Sequence, residues 1–141
     1  LLLIAAASVQ PARAADAAPG YDSRALSAIA MHWMSEWDAQ NWASCWQEFC
    51  PLVQANERDF KWSLREFYHQ EFLGKPLSRK FVNLERTMIR GEIVIVEFET
   101  TFEHKGLRSE GVYLEKESNG AWTIYAHWTK ALTEEWPGLY R

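Results

Sequence analysis

The chain has 141 residues, with 15 Lys or Arg against 19 Asp or Glu, for a formal net charge of −4. Hydrophobic residues make up 48% and charged residues 24%, which excludes a disordered chain and suffices for one ordinary core. No Lys/Arg cluster supplies the footprint of a nucleic-acid binder or of a protein held on an anionic membrane surface.

In chain order, the first segment is "LLLIAAASV", an apolar run too short to span a bilayer. "QPARAADAAPG" follows, with small residues at Ala12 and Ala14. Together they predict a signal peptide over residues 1–14, its basic n-region missing, and a linker over 15–21. A periplasmic or secreted protein without stable membrane insertion is therefore expected. A flexible apolar tail on a cytoplasmic protein is the competing reading.

Asp22 or Ser23 caps a helix that runs to about Ala39, with Leu26, Ile29, Ala30, Trp33, Met34 and Trp37 as its apolar stripe. "DAQN" breaks it. A second, short helix carries Trp42, Trp46 and Phe49 and is expected to stop at Pro51. Cys45 and Cys50 lie in this stretch. Five residues along one helix place side chains about 140° apart, so a disulfide requires the helix to end near Phe49. A disulfide and two buried thiols both remain open. A third helix runs through "ANERDFKWSLREFYHQEFLG", with Phe60, Leu64, Phe67 and Tyr68 as its expected core face, Trp62 on the flank and Gly74 at its end.

After Gly74 the period changes to two. Val82, Leu84 and Met88 alternate in a first strand, and Val94, Val96, Phe98 and Phe102 in a second. Val112 and Leu114 mark a third, and Trp122, Ile124, Ala126 and Trp128 a fourth. Asn119-Gly120 predicts the last hairpin. The expected fold is α+β: three N-terminal helices packed on a four-stranded antiparallel meander, as one domain over 22–132 with a C-terminal tail over 133–141. In the tail, Trp136, Leu139 and Tyr140 either dock back on the domain or hook a partner.

Several of these residues resemble one bacterial family. Trp and Asp in "WMSEWDAQNWASCW", Trp62, "LG" followed by Arg79, the F-x-T-x-F of Phe98, Thr100 and Phe102, Glu110, and "NGAWTIYAHW" are similar to the domain of unknown function 4019. The resemblance covers about Ala30 to Lys130. It implies a cystatin-like, nuclear transport factor two-like cone of helices on a curved sheet, and carries no activity with it. The chain departs from the family pattern at Phe72, Gln70 and Ala126-His127, where Pro, Arg and Gly-Tyr are usual; a site shaped by those positions is altered here.

The four tryptophans between Trp33 and Trp46 pair at i, i+4 and read mainly as core. Trp37, beside the break at Asp38, is expected to keep an exposed edge, its N–H on water or a carboxylate. Arg79 and Glu110 are expected near one end of the sheet, as a structural ion pair or with Arg79 free for an anionic ligand. His127 alternates with Trp128 and so points to solvent or a partner, and Asp38 reads as a turn or cap residue. No nucleophile elbow, phosphate loop or metal-ligand spacing occurs, so neither catalytic residues nor a metal or cofactor is expected. The favoured function is non-catalytic binding of a small apolar or amphipathic ligand between helices and sheet, or of an envelope protein, with Trp37, Trp62, Arg79 and Glu110 as the ligand-binding candidates. The alternatives are a cone-fold isomerase or hydratase using a buried acid or His, and a homodimer that pairs through the sheet face.

Overall fold

The computed structural model describes residues 20–87 and 91–132. The expected signal peptide, most of the linker, Met88 and the C-terminal tail lie outside the described residues. Four helices come first: α1 (Ser23–Asp38), α2 (Trp42–Gln47), α3 (Pro51–Asn56) and α4 (Asp59–Leu73). The strands β1 (Pro76–Thr87), β2 (Ile93–Phe102), β3 (Gly106–Lys116) and β4 (Trp122–Ala131) then form one antiparallel meander in chain order. The class is α+β, as expected, with one helix more than the sequence reading allowed.

The extra helix comes from Pro51, which starts α3 where it was expected only to end α2. Cys50 is extended (ψ 154°), the conformation favoured before proline, and Pro fits the first helical turn, where no N–H bond is lost. Between the two short helices the chain docks on the sheet. Cys50 N–H donates to the Ile124 carbonyl at 2.8 Å, and Ile124 N–H donates to that of Glu48 at 2.8 Å. Cys45 and Cys50 are separate, buried free thiols; no disulfide joins them. Burial pushes the Cys45 thiol up to about 12, with Glu48 and Glu36 adding to the effect, so it is an unreactive core group.

In α1, Asp22 accepts from the N–H groups of Arg24 and Ala25, and Leu26, Ala30, Trp33, Met34 and Trp37 are buried. Their face packs on Val94, Val96, Phe98 and Phe102 of β2 and on Val112 and Leu114 of β3. Trp37 is 1% exposed, contrary to the expected open edge. Trp42 and Trp46 are only half-buried, closing the rim of the core.

The α4 helix turns the opposite way from its expected orientation. Trp62, Glu66 and Leu73 face inward, while Phe60 (72% exposed), Leu64, Phe67 and Tyr68 (64%) face out. Trp62 is drawn in by rings from α1, α2 and the segment after α2: Phe49 at 5.0 Å, Trp42 at 5.8 Å, Trp46 at 5.9 Å and Trp33 at 6.5 Å between centroids. Gly74 ends the helix at φ 76°, where a Cβ would lie 2.7 Å from the His104 ring.

Three register shifts reset strand parity, the first at Leu77 near the start of β1. In β1 an extra residue sits at Val82, so Phe81 and Leu84 share the helix-facing side and Val82 is exposed. In β4, Tyr113 pairs with Ala126 and Leu114 with Ile124, which leaves Tyr125 as the extra residue. The expected single face of β4 therefore splits. Ile124 belongs to the main core, whereas Trp128 packs on the outer sheet face with Ile93 and Tyr113. There its indole lies across Gly111, where a Cβ would come within 2.3 Å. Among the described residues no helix is long and apolar enough to cross a membrane.

Candidate functional site

The bulge at Tyr125 turns His127 toward the helices instead of toward solvent. Its side chain is 3% exposed and sits against Trp37 and Trp33, with ring centroids 4.8 and 5.2 Å away. Glu110 lies beside it on β3, with no exposed surface. Its parity with Val112 and Leu114 was the sequence signal that it points inward.

Glu110 is held by four hydrogen bonds. Arg79 Nε donates to Oε2 at 2.7 Å and Arg79 Nη2 to Oε1 at 3.2 Å. Thr100 Oγ1 donates to Oε2 at 2.6 Å. His127 Nε2 lies 2.9 Å from Oε1 and must be the donor, because an ionised carboxylate only accepts. Burial pushes the Glu110 carboxyl up, but His127 and Arg79 outweigh it and hold it at about 2.

The other side of the Arg79 guanidinium grips Asp38, with Nη1 to Oδ2 at 2.8 Å and Nη2 to Oδ1 at 3.1 Å. Asp38 is thus an ion-pair partner and more than a turn residue. Arg79 is committed to two carboxylates, which removes the reading of an anion receptor. Asp38, Arg79, Glu110 and His127 form an unbroken polar line through the core. At the Asp38 end lies a cleft of about 450 Å³ lined by Trp37, Gln70, Gly74 and His104 among others.

At the His127 end lies a cavity of about 80 Å³, walled by Phe49, Val53, Glu57, Trp62, Arg65, Glu66, Tyr125, Ala126 and His127. With Nε2 bound to Glu110, the ring nitrogen left over is Nδ1, which is buried and has no hydrogen-bond partner. Glu66 accepts from Trp37 Nε1 at 3.2 Å. Burial raises the Glu66 carboxyl, but the His69 hydrogen bond and the charges of His127 and His69 bring it below its ordinary value. Arg65 Nη1 donates to Glu57 Oε1 at 2.5 Å and sits more loosely against Glu66, 3.8 Å away. Outside the cavity, an open groove of about 460 Å³ shares the walls Val53, Glu57, Arg65 and Tyr125 and adds Leu52 and Asn56.

All four expected site residues converge on His127: Trp37 against its ring, Trp62 in its cavity, Glu110 on its Nε2, and Arg79 behind Glu110. The sequence reading turned His127 the wrong way and missed Glu66. Nothing in the sequence marks the bulge that turns His127 inward. Glu66 was legible only as the i+4 neighbour of Trp62, once Trp62 is known to face in. Among the described residues no group of three His, Cys, Asp or Glu is placed to hold a metal ion.

An α+β domain with helices on one face of a four-stranded meander and an ionic line through its core defines the class. A family model described as protein of unknown function (DUF4019) matches residues 29–127, and the chain belongs to that family. The match runs from within α1 to His127 and so contains every residue of the polar line. No curated protein and no solved structure matches the chain.

Proposed function

We propose that this is a non-catalytic binding domain whose ligand is a small amphipathic amine. Its ammonium head enters the cavity beside His127 and its apolar tail lies in the outer groove. The observation that carries this is the wall chemistry at the His127 end: two carboxylates, Glu57 and Glu66, face one guanidinium, and Arg65 already pairs closely with Glu57. Glu66 is buried, and beside Trp37 and His69 on Oε2 its Oε1 has only Arg65 at 3.8 Å. The rings of Phe49, Trp62 and Tyr125 also line the cavity, aromatic walls of the kind a cation contacts. An anionic head meets like charge in a poorly screened site. Leu52, Val53 and Tyr125 supply apolar contact for an alkyl chain.

The cystatin-like, nuclear transport factor two-like cone belongs to the same reading, supported by helices covering one side of an antiparallel meander. So does export to the periplasm or beyond, supported by the apolar run and small residues of the 1–14 segment. A second reading, an isomerase or hydratase, is favoured by one feature: an imidazole oriented by a carboxylate, with its other nitrogen free, is the arrangement of a general base.

Calorimetric titration with hexylammonium, hexanol and hexanoate tests the binding reading. The expected order places hexylammonium about tenfold or more ahead of the other two, the size of one charge-assisted hydrogen bond. Glu66→Gln removes that preference. Equal or tighter binding of hexanoate overturns the proposal, as does an unchanged preference in Glu66→Gln. Chemical conversion of a bound ligand that disappears in His127→Gln moves the protein to the second reading.

A further inference from the structure

Trp33 and Trp37 are core rings, each 1% exposed, but Trp42 and Trp46 are only half-buried. They lie at i, i+4 on α2 and share a face. The buried Trp62 ring meets both, at 87° to Trp42 and 43° to Trp46, and so fixes their positions. Both line an open groove of about 370 Å³ with Gln47, Asp59, Phe60 and Ser63, within the size range of small-ligand clefts. Phe60 is 72% exposed, and among the described residues no ring contact joins it to Trp42 or Trp46, or those two to each other. Three large rings thus border one groove without covering one another. The amine site does not use them: none of these six residues lines the His127 cavity or the groove outside it.

We infer that this groove binds a saccharide, and that the sugar is a neutral β-linked pyranose of the gluco type. The ring of such a sugar carries its substituents equatorially, so each flat face is axial C–H and the rim is hydroxyl. The faces match half-open aromatic rings, which are apolar over the ring and polar only at the indole N–H. The rim matches the other lining groups. Among the described residues the Gln47 amide and the N–H groups of Trp42 and Trp46 have no protein partner, so they remain for a ligand. Asp59 accepts the Phe60 N–H through Oδ1 at 2.7 Å, which leaves Oδ2 to accept a hydroxyl. Ser63 Oγ donates to the Phe60 carbonyl at 3.0 Å and keeps its lone pairs. The charge balance selects a neutral ligand. None of the lining residues is Lys, Arg or His, and Asp59 stands in the first turn of α4, where the helix end carries a partial positive charge that offsets it. An alkyl chain leaves Asp59 and Gln47 facing hydrocarbon, whereas hydroxyls satisfy both.

Side-chain ¹H–¹⁵N correlation of the tryptophans in the full chain, titrated with cellobiose, tests this, with sorbitol, cyclohexanol and tetramethylammonium as controls. The indole resonances of Trp42 and Trp46 are expected to move and to saturate with a dissociation constant on the order of 1 mM. Those of Trp33 and Trp37 stay still, their N–H groups being held by the Cys45 carbonyl and Glu66. Sorbitol has the hydroxyls without the ring, cyclohexanol the ring without the full rim, and tetramethylammonium only charge and methyl groups. Each is expected to bind at least about tenfold more weakly than cellobiose. Phe60→Ala and Gln47→Ala, both at exposed positions, each weaken cellobiose binding about fivefold, the size of one aromatic contact or one hydrogen bond, with far-ultraviolet circular dichroism unchanged. Trp42 and Trp46 indoles indifferent to cellobiose overturn the inference, as do variants that both bind like the wild type. Tighter binding of tetramethylammonium or cyclohexanol at those indoles overturns it in favour of a cation or a purely apolar ligand. Hexylammonium binding stays unchanged in both variants, so the amine reading stands or falls separately.

Discussion

α1 and α4 are similar helices with opposite fates. Both run about four turns and carry an apolar stripe at helical spacing. α1 buries its stripe, from Leu26 to Trp37. α4 leaves Phe60, Leu64, Phe67 and Tyr68 in water and buries Trp62, Glu66 and Leu73. Apolar periodicity thus shows that a helix has a face but not which way it points. For α4 the choice falls to specific partners: Trp62 completes a cluster with Phe49, Trp33, Trp42 and Trp46, and Glu66 accepts the buried Trp37 N–H.

The comparison breaks first at the tryptophans. Trp33→Ala on α1 and Trp62→Ala on α4 are each expected to cost about 3–5 kcal/mol in urea unfolding, the usual loss for a buried aromatic. A cost near zero for Trp62→Ala restores the orientation of α4 that its stripe first suggested. Next in size is acid. Glu110 is held at about 2 against an ordinary 4.5, so its stabilisation is present above 4.5 and is lost as pH falls from there toward 2. The loss amounts to about 3 kcal/mol and is absent in Glu110→Gln, whose stability is lower at neutral pH but flatter across that window. Glu66→Ala leaves the Trp37 N–H without its acceptor and is expected to cost about 1–3 kcal/mol. The smallest effect is on the outer face, where Phe60→Ser changes monomer stability by no more than about 0.5 kcal/mol.

Much of the fold was legible because local chemistry decided it. Asp22 caps α1, Gly74 ends α4 at positive φ, Asn119-Gly120 turns the last hairpin, and β2 alternates as its sequence does. The rest was decided by long-range pairing. Pro51 ends a helix in one context and starts one in another, and here the docking of Cys50 on Ile124 lets it start α3. The bulges at Val82 and Tyr125 each shift parity by one residue, and no residue type at either position announces it. That single shift carries His127 from the expected solvent side to the centre of the polar line. Arg79 and Glu110 were found because both match positions of the family resemblance and sit early in strands that could share one end of the sheet. Their third and fourth partners, Asp38 and His127, come from a helix end and a bulged strand that only the folded chain brings together.

The account rests on His127 facing inward, with Nε2 on Glu110 and its ring among the walls of the ligand cavity. Long-range ¹H–¹⁵N correlation of the histidine side chains, with and without hexylammonium, tests this most directly. The predicted result is a His127 ring whose Nε2 proton, held on Glu110, exchanges slowly and whose ring resonances move when the amine is added. A ring that exchanges freely with solvent, or ring resonances indifferent to the amine while the amine binds, contradicts it.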